Sequence, residues 1–234
     1  MSFFGNNLRY IRNQKKLDLA GFARLIDVWE DTLRRYENGK AEPDFDTLVQ
    51  ISDKLNLPID HLLRKDLALQ QERLSARKIR LVLLDMDGTL TDGGMFYSES
   101  GDQFRRFNVK DGLIIHRMIT RKGMQFGLIS SGSTIEILKS RAKALGIQRV
   151  HSGTQPKLEI VGEWMAQMGL GFENIAYVGD DLNDLPLIKK VGISACPADA
   201  AFQVKNASMV VLTRKGGEGC IREFLEDVLG FDVS

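Results

Sequence analysis

Along the first quarter of the chain, apolar residues return at helical intervals. Leu8 and Ile11, then Phe22, Ala23, Leu25 and Ile26, then Leu48, Ile51 and Leu55 each mark one face of a short helix, and nothing in residues 6–66 alternates as a strand would. The pattern predicts a small all-helical domain over residues 1–66. Residues 67–78 are rich in Gln, Arg and Lys, carry leucines at 67, 69 and 74, and lack Gly and Pro. They predict a stiff connecting helix rather than a loose tether.

From Ile79 the rhythm changes. Short apolar runs at 81–84, 124–129, 175–178, 193–195 and 209–212 alternate with amphipathic stretches near 111–122, 135–145, 157–168, 184–190, 199–206 and 219–229. Runs with no polar alternation suit strands covered on both faces, and their alternation with helices predicts an α/β domain over 79–234 with a mostly parallel sheet. Glycines at 123, 146, 169 and 192 stand where helices should stop. One segment departs from the alternation. Met95-Phe96-Tyr97 and the run from Phe104 to Phe107 flank the polar turn Ser98-Glu99-Ser100-Gly101, the pattern of a β-hairpin or flap.

Composition narrows the classes. Of 234 residues, 43% are hydrophobic and 27% charged, which suits a globular protein. No stretch reaches the length of apolar sequence that a membrane span needs, and the first residues lack a signal-peptide apolar core, so no membrane partner and a cytoplasmic location are expected. Cys196 and Cys220 have no metal-binding spacing. His61, His116 and His151 are scattered and read as structural. Net charge is +1, and residues 1–66 hold 11 Lys and Arg against 11 Asp and Glu, so any nucleic-acid contact depends on a local patch.

Candidate chemistry gathers at the ends of the apolar runs. Asp85-Met86-Asp87-Gly88-Thr89-Leu90 follows the first run, and Ser130-Ser131-Gly132 follows the second. Hydroxyls and carboxylates at the carboxyl ends of parallel strands occupy the usual ligand crevice of such sheets. Lys157 follows Pro156 at a predicted helix start. A cation there opposes the helix dipole by about 0.3–1 kcal/mol unless an anion lies near. Gly179-Asp180-Asp181-Leu182-Asn183-Asp184 follows the run at 175–178. Capping needs one acid, not three, and crowded carboxylates repel unless a cation joins them. Oxygen ligands, few carboxylates and room for phosphate favour Mg²⁺.

These four segments, in this order, resemble the haloacid dehalogenase-like phosphatase superfamily. Asp85 to Gly94, Phe107 to Gly112, Val178 to Leu187, Pro197 to Ala200 and Gly216 to Gly219 are similar to its subgroup without a cap domain. That subgroup includes 3-deoxy-D-manno-octulosonate 8-phosphate phosphatases and nine-carbon sugar acid 9-phosphate phosphatases. The resemblance implies a Rossmann-like fold and a phosphorylated sugar acid as substrate. It implies Asp85 as nucleophile, Asp87 as general acid and base, and Ser130 and Lys157 as holders of the phosphoryl oxygens. Mg²⁺ would be bound by Asp85, the Asp87 carbonyl and Asp180, with Asp181, Asn183 and Asp184 in support. The segment between Gly127 and Arg141 is one residue longer than the family pattern, so the motif serine is Ser130 or Ser131, Ser130 following the strand directly.

Only 43 positions separate Asp87 from Ser130 and 27 separate Ser130 from Lys157, too few for a covering domain. The resemblance accordingly implies a homotetramer whose hairpins reach neighbouring subunits. Residues 17–63 resemble a helix-turn-helix domain of the lambda-repressor and Xre type, with Thr32, Arg34 and Arg35 as candidate DNA contacts. Leu19, Asp27, Trp29 and Glu30 depart from the usual residues at their positions. DNA binding and a packing or assembly module are both open readings of this domain. A transcriptional regulator that senses a sugar phosphate is the alternative function. The glycines at 216, 217 and 219 read as a turn before the last helix.

Overall fold

The computed structural model describes residues 3–68, 79–132 and 135–231. The chain divides into two units, residues 1–73 and 74–234, and each surrounds a hydrophobic core of its own.

The first unit contains α1 (Phe4–Gln14), α2 (Leu19–Ile26), α3 (Glu30–Glu37), α4 (Phe45–Leu55) and α5 (Ile59–Arg64). Two of these helices start on a side-chain cap: Asp18 accepts from the Gly21 N–H at 2.7 Å and Asp44 from the Thr47 N–H at 2.8 Å. Asp27 ends α2 in the left-handed region at φ 58°, a conformation that Asp tolerates better than most side chains. Phe22, Ile26, Leu33 and Ile51 meet in the core with no exposed surface. Arg12 donates two bonds, of 2.7 and 2.8 Å, to buried Glu37 and so ties α1 to α3. From residue 69 onward, the connecting helix expected at 67–78 lies outside the described residues.

In the second unit, β1 (Leu81–Leu84), β4 (Gln125–Ser130), β5 (Arg149–Ser152), β6 (Ile175–Val178), β7 (Ile193–Cys196) and β8 (Val210–Val211) form one sheet. Its order is β5-β4-β1-β6-β7-β8, and every pairing is parallel. β1 is wholly buried, as is β6. Helices Val109–Lys122, Ile135–Leu145 and Lys157–Met168 connect the strands. The chain leaves β1 toward β4 on one side and later returns to place β6 on the other, so the topological switch point lies at the carboxyl end of β1.

β5 is the element that the apolar pattern missed. Only Val150 in Arg149-Val150-His151-Ser152 is apolar, because an edge strand is half-buried and lacks the run that marks a central one. The hairpin forms from β2 (Phe96–Tyr97) and β3 (Gln103–Phe104), with Phe96 opposite Phe104. Among the described residues, no helix is long and apolar enough to cross a membrane.

Candidate active site

The wide turn Met86–Leu90 begins as soon as β1 ends. Gly88 within it has φ 87°, and any Cβ there would run into the Asp180 carboxylate, so only glycine lets the two acidic loops approach. Thr89 donates to Asp180 at 3.1 Å and strengthens the same junction. On the outer side, the Gly217 N–H donates to the Thr89 carbonyl at 3.0 Å and Asn108 donates to the Gly217 carbonyl at 3.1 Å. Gly216 and Gly217 thus brace the Asp85 loop, and Gly219 directly precedes the helix Cys220–Glu223.

Lys157 opens its helix with Pro156 before it. Its ammonium donates to Asp85 at 2.5 Å and to Asp184 at 2.6 Å, which supplies the anions that a cation at a helix start requires. The Tyr177 hydroxyl donates to the same Asp184 oxygen at 2.5 Å. The other Asp184 oxygen accepts from the N–H groups of Asp180 and Asp181, at 2.8 and 3.1 Å. Asp184 is therefore fully engaged, which suits orientation of Lys157 better than direct metal binding.

Carboxylate oxygens of Asp85, Asp180 and Asp184 lie within 4.8 Å of one another. One ammonium offsets three acids. Burial, opposed by Lys157 and reinforced by the charge of Asp184, holds the Asp85 carboxyl well above its usual range. Burial and then the charge of Asp184 push Asp180 up to about 6. Burial disfavours the Lys157 cation, but Asp85 and Asp184 together outweigh it and raise its pKa. Tyr177 is raised well above its ordinary value by burial and the same carboxylates, and stays a hydrogen-bond donor. All-oxygen donors, excess negative charge and two acids not locked by backbone bonds fit a hard divalent cation held by Asp85 and Asp180.

The Asp87 carboxylate is partly exposed and pairs with Arg105 at 2.7 Å. Ser130 is the buried last residue of β4, and its hydroxyl accepts from the Gly132 N–H at 3.0 Å. Ser131 is exposed and accepts from Asn183 at 3.0 Å. Asp181 is also exposed and caps the turn Leu182–Asp184 through the Leu182 N–H. Support from that loop thus divides: Asp184 touches Lys157, while Asp181 faces outward and shapes the loop. Sequence reading did not single out Tyr177, which sits inside an apolar run, nor Thr89 or Arg105.

In the helical unit, Thr32 is half-buried and Arg34 is exposed, paired with Glu30 at 2.8 Å and with Asp31 at 3.7 Å. Arg35 is exposed. The helix that would enter a DNA groove thus carries its own counter-charges.

Residues 8–62 match the helix-turn-helix family model and residues 132–224 the haloacid dehalogenase-like hydrolase model. The chain is 34% identical over 154 residues to the 3-deoxy-D-manno-octulosonate 8-phosphate phosphatase of Escherichia coli, a match spanning 66% of this chain and 81% of that protein. The Yersinia pestis enzyme of the same name is 35% identical over the same shares. A crystal structure of a probable yrbi family phosphatase from Pseudomonas syringae superposes with TM-score 0.65 and 38% identity, covering 69% of this chain and 89% of that one. The Moraxella catarrhalis 3-deoxy-D-manno-octulosonate 8-phosphate phosphatase, in complex with magnesium, phosphate and KDO, gives TM-score 0.64 at 29% identity, covering 69% and 91%.

Proposed function

Because this chain belongs to the haloacid dehalogenase-like phosphatases, as a sugar acid phosphate phosphatase with an added helix-turn-helix domain, we propose that it is a Mg²⁺-dependent phosphomonoesterase for eight- or nine-carbon 2-keto-3-deoxy sugar acid phosphates. The observation that carries this reading is the Lys157 ammonium bridging Asp85 and Asp184 at 2.5 and 2.6 Å, at the switch point of the sheet. The substrate class rests on the names of the relatives and the metal on the Asp85–Asp180–Asp184 cluster.

In this reading a carboxylate oxygen of Asp85 attacks phosphorus, and the bond to the sugar oxygen breaks as Asp87 gives that oxygen a proton. The products of this half are the free sugar acid and an aspartyl-phosphate. Asp87 then takes a proton from water, the resulting hydroxide attacks phosphorus, and phosphate leaves with the Asp85 carboxylate restored. Lys157 and the hydroxyl of Ser130 hold phosphoryl oxygens through both halves. A Mg²⁺ held by Asp85, the Asp87 carbonyl and Asp180 would neutralise phosphate charge and let an anionic nucleophile approach. Asp184 and Tyr177 keep the Lys157 ammonium in place, and Asn183 fixes the rim beside Ser131.

The test is phosphate release from a panel of sugar acid phosphates, with Mg²⁺ and with EDTA, using Asp85→Asn as the blank. Turnover that survives Asp85→Asn, or EDTA, rejects the mechanism. Ser130→Ala and Ser131→Ala assayed in parallel show which hydroxyl binds phosphate, the greater loss being expected for Ser130→Ala.

The sequence and the hairpin support a homotetramer in the cytoplasm. Met95, Phe96, Tyr97 and Phe104 are each more than half exposed and form the kind of apolar surface that a neighbouring subunit covers. A second reading, a DNA-binding regulator that senses a sugar phosphate, is favoured by the helix-turn-helix match alone. Under it, Arg35→Ala lowers the salt dependence of DNA binding by about one ion. Absence of duplex binding at low salt leaves the helical unit as a packing or assembly module.

A further inference from the structure

The hairpin exposes most of its side chains, yet Arg105, directly after β3, exposes only 3% of its side-chain surface. Its neighbours Phe104 and Arg106 face outward. The Arg105 Nε–H donates to Asp87 Oδ1 at 2.7 Å, while its two terminal nitrogens donate to the Phe104 carbonyl at 3.2 Å and to Gln103 Oε1 at 3.4 Å. The hairpin's own atoms thus hold the guanidinium on both flanks. Its planar fork cannot swing without breaking those bonds.

A guanidinium has hydrogens to give and no lone pair to accept with. The Asp87 oxygen that receives the Arg105 bond therefore cannot be the one that carries a proton toward that partner. The proton of a protonated Asp87 is left to Oδ2. A methyl-sized probe on Gly132, just beyond β4, would sit 3.7 Å from that Oδ2 and 3.3 Å from the Ser130 hydroxyl, so Oδ2 lies on the Ser130 side of the carboxyl group. In an in-line displacement the departing oxygen lies opposite the attacking Asp85 oxygen, and Oδ2 is the Asp87 oxygen that Arg105 leaves free to protonate it.

We infer that Arg105 is a positioning residue that fixes the Asp87 carboxyl group so that Oδ2 alone exchanges protons with the leaving oxygen and the incoming water. The inference rests on the acid and base role given to Asp87 in the proposed function. It assigns the hairpin a part in the chemistry of its own subunit.

The test uses the full-length protein, Arg105→Gln, Arg105→Lys and Asp87→Asn, with a series of phosphate monoesters running from p-nitrophenyl phosphate to simple alkyl phosphates. Nitrophenolate departs without a proton, whereas an alkoxide needs one. The measured quantity is kcat/KM, which covers the steps up to release of the alcohol. Arg105→Gln is expected to lower it at least about 30-fold for alkyl phosphates and less than about threefold for p-nitrophenyl phosphate, a part of the roughly 10²–10⁴-fold that general acid catalysis contributes. Arg105→Lys, which keeps a donor, restores most of the alkyl activity. A loss of equal size across the series, or a loss confined to KM, overturns the inference. Asp87→Asn separates the two levels. If it spares alkyl phosphates, the acid role itself fails; if it shows the selective loss and Arg105→Gln does not, only the positioning role fails.

Discussion

Asp184 makes four hydrogen bonds with two oxygens and shares the Lys157 ammonium with Asp85. Asp184→Asn replaces one acceptor oxygen with a donor and so sets it against buried donors, Lys157 and Tyr177 on one side or two backbone N–H groups on the other. The expected cost is about 3–5 kcal/mol of stability, measured by urea unfolding, together with a large loss of turnover. Tyr177→Phe removes the donor to Asp184 and a weaker acceptor of Lys157, at 3.3 Å, and is expected to cost about 1.5–3 kcal/mol. Acidity gives a second prediction. Asp180, pushed up to about 6 from an ordinary 3.8, keeps its proton in the metal-free native state after the unfolded chain has lost it. This contribution to stability is complete below about pH 4 and is lost as pH rises through about 6. Mg²⁺ competes with that proton, so the rise in melting temperature caused by Mg²⁺ should grow over the same interval. Melts with EDTA and with Mg²⁺ check both signs. Asp85, Asp87, Lys157 and Asp180 were legible because like charges and a misplaced cation are costly without a shared purpose. Tyr177 was not, since an aromatic residue in an apolar run has the sequence signature of core. Nor was Arg105, because two arginines between Phe104 and Phe107 do not reveal which of them turns inward.

Strands of the main sheet were readable in proportion to their burial. Central strands announce themselves as unbroken apolar runs, and β1 and β6 occur where those runs stand. The edge strand β5 has one face toward solvent and left too weak a pattern. The loop before the last helix illustrates a different limit. Gly216 has an ordinary backbone conformation, yet a Cβ on it would lie 2.6 Å from the Gly88 carbonyl carbon and 3.0 Å from the Thr91 oxygen. Gly216→Ala therefore has to displace the turn that carries Asp87. It is expected to cost about 1–3 kcal/mol and to reduce phosphate release more than its effect on unfolding alone explains. Nothing in a run of glycines states which backbone they approach.

At the scale of the molecule, two separate cores imply two folding units. Residues 74–234 produced alone are expected to keep kcat/KM for a phosphate ester within about threefold of the whole chain, which a parallel assay checks. The helical unit was legible as a fold from its periodicity, whereas its purpose was not: equal numbers of acids and bases give no field, and the structure pairs Arg34 with acids of its own helix. Light scattering tests the proposed tetramer, and Phe96→Glu is expected to shift the mass toward smaller species.

The hairpin has one further consequence, for how such a molecule can diversify. Its short ribbon sends Arg105 to one side and Phe96 and Phe104 to the other, and in a strand a one-residue shift exchanges the two sides. A single codon gained between Gln103 and Phe104 would thus turn Phe104 toward Asp87 and Arg105 outward. A one-residue insertion there is expected to lower phosphate release more than a substitution at exposed Phe96 does, which a parallel assay checks.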